Sequence, residues 1–116
     1  MKPSKLILLV FALGIMQSCY KPATIRVQNN ITQVKIVDVK WGEVYLATEL
    51  LPGETSEKMS VEKYEKELLG KHPVSFIMTA NNKSVYLETE EEFLLNEDDD
   101  LLIILTDDTP VKNPNE

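Results

Sequence analysis

The sequence predicts an all-β protein, a single antiparallel β-sandwich of about seven strands. Three observations carry that expectation. Apolar and polar residues alternate in short runs, as at residues 24–28, 74–80 and 84–89, which is the period of a half-buried strand. Turn-forming residues interrupt those runs at short intervals: Asn29-Asn30, Gly42, Pro52-Gly53 and Asn81-Asn82. Beyond the N-terminal segment, helical spacing of apolar residues shows only within residues 61–69.

The first strand covers residues 24–28, with Ile25 and Val27 on one side and Arg26 and Gln28 on the other, and Asn29-Asn30 stops it. The second, residues 32–41, is longer and β-branched, and its apolar residues change phase. Val34 and Ile36 share one face, whereas Val37, Val39 and Trp41 share the other. Such a slip marks a β-bulge near Ile36-Val37, or a strand that passes between two sheets. Gly42 permits a tight turn, and Val44, Leu46 and Thr48 alternate with Tyr45 and Ala47 in the returning strand. Residues 50–56 are the clearest punctuation. Pro52 presets φ at the first central turn position, and Gly53 accepts the positive φ that a type II turn requires next.

Residues 57–60 read as a strand. Beyond them Val61, Tyr64, Leu68 and Leu69 fall on one helical face, which predicts one or two helical turns capped by Ser60 and ended by Gly70. A continued strand is the alternative for residues 57–69. The β pattern resumes where Val74, Phe76, Met78 and Ala80 alternate with Ser75, Ile77 and Thr79. Asn81-Asn82-Lys83 is a hairpin loop, and residues 84–89 pair back with Val85 and Leu87 inward. Phe93-Leu94-Leu95 leads into an acidic turn at residues 96–100. Leu101-Leu102-Ile103-Ile104-Leu105 is too short for a typical helix and reads as a strand covered on both faces. Residues 107–116, with Pro110 and Pro114, read as a flexible tail.

Ahead of the strands, Lys2 and Lys5 supply positive charge, residues 6–16 are an apolar run, and Gln17-Ser18-Cys19 closes it. Cys19 is the only cysteine in the sequence. A basic start, a short apolar core and a small residue before the cut form the layout of a secretory signal peptide. The run is roughly half the length that a membrane-crossing helix needs, so a lasting transmembrane anchor is not expected. With Cys19 at its end, the segment resembles the lipobox of bacterial lipoproteins, in which the cysteine is acylated and becomes the first residue of the mature chain. Ser18 matches the small residue of that pattern, Met16 stands where Leu is usual, and Gln17 where Ala or Ser is commoner.

In this segment, and in its Pro52-Gly53-Glu54-Thr55-Ser56 corner, the chain resembles small exported β-sandwich lipoproteins of Bacteroides-type bacteria. The resemblance implies a fold class and a location, and no activity. It implies cleavage between Ser18 and Cys19, with two or three acyl chains of the palmitate type on Cys19. Each buried methylene contributes about 0.8 kcal/mol, and one chain binds only reversibly, so several make the anchor lasting. Tyr20 rather than aspartate follows Cys19, and Tyr20, Lys21, Pro22 and Ala23 include no acid. By the sorting rules of such lipoproteins this implies the outer membrane, with the domain facing the periplasm. An ordinary cleaved signal with a free thiol is the alternative.

The organisation expected is a signal segment at 1–18, a lipidated tether at 19–23, a sandwich domain at 24–106 and a tail at 107–116. Without residues 1–18, 98 residues remain, enough for one compact domain. They carry ten basic and nineteen acidic side chains, a formal charge of −9. Such a surface repels nucleic-acid phosphates, and no stripe of Lys and Arg offsets it, so a nucleic-acid partner is not expected. With Cys19 carrying lipid, no disulfide can form within the chain, and a domain of this size relies on its core.

Four groups of residues bear on chemistry. His72, the only histidine, lies before Pro73 in a charged connection, where a solvated loop side chain is the expected role. Asn96, Glu97, Asp98, Asp99 and Asp100 offer carboxylates to calcium, which takes six to eight oxygens, but lack the spacing of an EF-hand loop. Glu88, Glu90, Glu91 and Glu92 read as a solvated edge that discourages edge pairing, since a glycosidase pair must face across a cleft. Trp41 and Tyr45 bracket Gly42 and, with Tyr64, offer a stacking platform for sugar or peptide if exposed; core packing is the alternative.

The reading is a non-catalytic binding or structural module of the cell envelope, held at the membrane by acylated Cys19 and needing no cofactor. A sheet edge or the Trp41 and Tyr45 hairpin tip would meet an envelope protein partner. The alternative is a calcium- or glycan-binding domain that uses Asp98, Asp99 and Asp100 or that same tip.

Overall fold

The computed structural model describes residues 21–115; the signal segment expected at 1–18 and Cys19 lie outside the described residues. Its strands are β1 (Ala23–Asn30), β2 (Lys35–Trp41), β3 (Val44–Leu50), β4 (Met59–Val61), β5 (Gly70–His72), β6 (Val74–Ala80), β7 (Lys83–Thr89), β8 (Phe93–Leu95), β9 (Asp100–Thr106) and β10 (Val111–Lys112). They form a three-stranded sheet in the order β4-β1-β9, a five-stranded sheet in the order β10-β7-β6-β2-β3, and a β5-β8 ribbon. The fold is an all-β sandwich.

Alternation sets the layers. Ala23, Ile25, Val27 and Asn29 point inward from β1, while Ile36, Val39 and Trp41 do so from β2 and Val74 and Phe76 from β6. Together with Val61, Leu68, Leu95, Ile103 and Leu105 they form one buried core. Removing each large aliphatic side chain from water contributes about 1.5–3 kcal/mol. The phase slip in β2 is a bulge. Its pairing with β6 shifts between Val37 and Lys40, and Asp38 takes a φ of 50°, so Ile36 and Val39 both turn inward.

The turns follow their residues. Gly42 alone of its pair has positive φ, the pattern of a type II′ hairpin turn, while Asn81 and Asn82 both have positive φ, the pattern of type I′. At Pro52-Gly53 the Glu54 N–H donates to the Leu51 carbonyl at 3.0 Å, and Gly53 has a φ of 90°. This corner lies along β1: Gly53 N–H donates to the Asn29 carbonyl, Asn29 N–H to the Glu54 carbonyl, and Ser56 N–H to the Val27 carbonyl.

Four expectations are corrected. Residues 62–68 form no helix. Two successive turns occupy them, in which Glu65 N–H donates to the Glu62 carbonyl and Leu68 N–H to the Glu65 carbonyl. Val61 is drawn into the β1 pairing and Leu68 into the core, which pulls the two ends of the helical pattern apart. The tail is partly a strand, because Val111 and Lys112 pair with Thr89 and Glu88. The sandwich is not wholly antiparallel: β1 and β9 run parallel, in register from Thr24 with Asp100 to Asn30 with Thr106. Finally, β9 is covered on one face only. Ile103 and Leu105 are buried, whereas Leu102 and Ile104 are 39% and 46% exposed, since among the described residues no layer lies over the outer face of its sheet.

Candidate functional site

The hairpin tip does not present two aromatics. The turn at Gly42-Glu43 pairs Trp41 with Val44 and Lys40 with Tyr45, so Tyr45 shares the face of Lys40 and Trp41 points to the other. Trp41 is fully buried, and its indole N–H donates to the Leu68 carbonyl at 2.7 Å. Tyr45 is exposed, with the Lys40 Nζ 4.9 Å from its ring centroid, a cation–π contact that covers part of that face. Tyr64 is exposed in the turns between β4 and β5. The expected platform is therefore reduced to separate tyrosines, with Trp41 in the core.

His72 belongs to the packing of that tip. Its ring meets Trp41 edge-on, with centroids 5.0 Å apart, and its Nε2–H donates to the Leu69 carbonyl at 3.1 Å. The carbonyl can only accept, which fixes the tautomer in which Nε2 carries the proton. His72 thus closes the underside of the turn where a solvated loop residue was expected.

The acidic turn is tied to its own backbone. The Asp99 carboxylate accepts the Asn96 N–H at 2.8 Å, Asp99 N–H donates to the Asn96 carbonyl, and Asp98 takes a φ of 68°. Asp100 turns toward β1 instead, accepting the Thr24 hydroxyl and lying 3.8 Å from the Lys58 ammonium. Those two contacts, the hydroxyl first, hold its carboxyl below the usual value. Among the described residues no three acidic, histidine or cysteine side chains gather around one point. Glu90, Glu91 and Glu92 are all exposed, at the solvated position expected of them.

A second carboxylate is bound in the same manner. Asp107 accepts the Thr32 N–H and the Thr32 hydroxyl, each at 2.8 Å, and both bonds hold its carboxyl below the usual value. Asp107 thereby pins the β9–β10 connection to the loop between β1 and β2.

The arrangement leaves three surfaces with distinct chemistry. A polar recess of about 300 Å³ lies where the chain enters β1, lined by Lys21, Ala23, Val61, Lys63, Glu97 and Asp98. An apolar cavity of about 160 Å³ opens between the sheets, among Ile31, Phe76, Met78, Leu87, Leu105 and Val111. Beside it runs β9, the outermost strand of its sheet. The run of aliphatics at 101–105 is the sequence signal for the last of these, although such a run equally suits a strand covered on both faces.

Comparison with known protein families, with curated proteins and with solved structures finds no match.

Proposed function

We propose that this chain is a membrane-tethered, non-catalytic binding module of the cell envelope. Cys19 carries the anchor and the sandwich presents the docking surface. The observation that carries the reading is the distance from Cys19 to the fold. Strand β1 begins at Ala23, four residues on, and its register with β4 and β9 starts at Ala23 and Thr24. Four extended residues reach about 14 Å, so a lipid on Cys19 would hold the domain close to the bilayer, with the recess at Lys21 and Ala23 beside it. Confinement of that kind raises the effective concentration of the domain toward other envelope proteins. Tyr20 in place of aspartate favours the outer membrane, facing the periplasm.

Growth with an alkyne-tagged fatty acid, followed by fractionation, tests the tether. The wild-type chain should take up the tag and stay with membranes through a high-salt wash, and Cys19→Ser should do neither. A Cys19→Ser chain that stays in the membrane with unaltered processing and mass would remove the lipoprotein reading. Crosslinking in the native envelope tests the binding role. One partner recovered at fixed stoichiometry is the expected result, and a solitary chain the contrary one.

A further inference from the structure

We propose that the free edge of β9 accepts an extended strand from a partner protein, one with apolar residues at alternate positions and basic residues at both ends. This rests on the binding-module reading and says which surface binds and what it binds. Parallel pairing with β1 uses half of the β9 backbone. Thr24 N–H donates to the Asp99 carbonyl, and the register that follows places the backbone groups of Leu101, Ile103 and Leu105 toward β1. The N–H and C=O of Leu102 and Ile104 then point the other way. Among the described residues no strand pairs with that side, because β9 ends its sheet. The free edge stops at Thr106, whose N–H is taken by the Thr109 hydroxyl and whose carbonyl accepts the Thr109 N–H.

Natural sheets blunt such edges with Lys, Pro, a bulge or a cover. Strand β9 (Asp-Leu-Leu-Ile-Ile-Leu-Thr) has none of those residues, pairs with β1 without a register shift, and exposes Leu102 and Ile104 beside the open backbone groups. An incoming strand would gain four backbone hydrogen bonds at those two residues. A side chain placed opposite Leu105 would point between the sheets. The cavity of about 160 Å³ bounded by Leu105, Phe76, Leu87 and Val111 has room there for one aliphatic or small aromatic group.

Charge selects the partner. Asp98, Asp99 and Asp100 stand at one end of the edge and Asp107 and Asp108 at the other, with Lys58 offsetting one of them. Two copies paired antiparallel about Ile103 would bring the first group against the second, so like charges oppose self-association. A strand with Lys or Arg at each end complements both groups.

The test uses the full chain in mild detergent and a synthetic peptide, Lys-Lys-Val-Thr-Val-Thr-Val-Lys-Lys. It compares that peptide with a Glu-ended version of the same core and with one N-methylated at alternate amides. Hydrogen exchange at Leu102 and Ile104 should slow about tenfold or more with the Lys-ended peptide, while Leu101 and Ile103 keep their rates. The Glu-ended peptide should bind about tenfold more weakly, a gap that narrows at about 0.5 M salt. Ile104→Pro should keep the β1 pairing and lose the peptide, since its N–H faces the free edge. If that variant does not fold, the N-methylated peptide decides the matter on the wild-type chain, where it should fail to bind. No slowing at the two amides with peptide at about millimolar concentration would overturn the proposal. So would equal binding of the Lys- and Glu-ended peptides, or protection that grows with protein concentration alone. These outcomes read the edge and are independent of whether Cys19 carries lipid.

Discussion

Asn29→Ala should be among the most damaging single changes in the domain, although it removes no apolar contact of note. Asn29 is fully buried on the inward face of β1, and its amide group joins the two sheets. Its Nδ2 donates to the Val34 carbonyl at 2.8 Å and to the Leu50 carbonyl at 3.0 Å, and its Oδ1 accepts the Ile31 N–H at 3.0 Å. Truncation removes three hydrogen bonds to buried or partly buried backbone groups, the Leu50 and Val34 carbonyls and the Ile31 N–H, at about 0.5–1.5 kcal/mol each. The sum is about 3 kcal/mol, a large share of the roughly 5–10 kcal/mol expected for a domain of this size. Urea unfolding followed by the emission of Trp41, the only tryptophan, measures it. The midpoint should fall with m unchanged, and Tm should drop by about 12–24 °C. Asn29→Leu, which fills the space but offers no polar group, should recover little. An Asn29→Ala protein within about 1 kcal/mol of wild type would refute the claim that this amide bonds the sheets together.

Three further outcomes follow from the same geometry. Trp41→Phe gives up the bond to the Leu68 carbonyl and part of the contact with His72, and should lower stability by about 2 kcal/mol in a circular-dichroism melt. Gly42→Ala forces a Cβ into a backbone with φ of +58° and places it 3.4 Å from His72 Nδ1, and should lose about 1–2 kcal/mol; Gly42→Asn, which tolerates that φ, should lose less. Asp107 has a lowered folded pKa, so its contribution is present above the ordinary value of 3.8 and is lost as pH falls through the folded value. Thr32→Val keeps the amide bond but removes the hydroxyl, so the Asp107 carboxyl should titrate closer to 3.8 in a carbon-detected NMR titration. An unmoved titration would show that the hydroxyl does not matter.

Local patterns in the sequence were legible and distant ones were not. The β6–β7 hairpin could be read from alternation and Asn81-Asn82, because strand period and turn chemistry act within a few residues. The phase slip in β2 announced its bulge, though the structure centres it on Asp38 rather than on Ile36-Val37. The inward parity of Ala23, Ile25 and Val27 extends to Asn29, a signal that could have exposed its buried role, but an Asn-Asn pair reads first as a stop. Parity also separates Trp41 from Tyr45 once the turn is known to hold two residues. What no local pattern holds is the neighbour of each strand. The aliphatic run in β9 is equally suited to a central and an edge position, and only assembly beside β1 shows that its outer face stays uncovered among the described residues.

That pairing also governs the order in which the domain can become whole. β1 opens the fold, and its parallel neighbour lies about 75 residues further along, with Thr24 meeting Asp100. Closing so long a loop is slow, and contacts of such separation reward the chain only late. Until β9 arrives, half of the β1 backbone and the inner faces of Ile25 and Val27 have no sheet neighbour on that side. A nascent chain would therefore remain soft to proteases and open to chaperones until its last long strand is delivered. A truncation just before Asp100 should behave as an unfolded chain rather than as a slightly shorter domain.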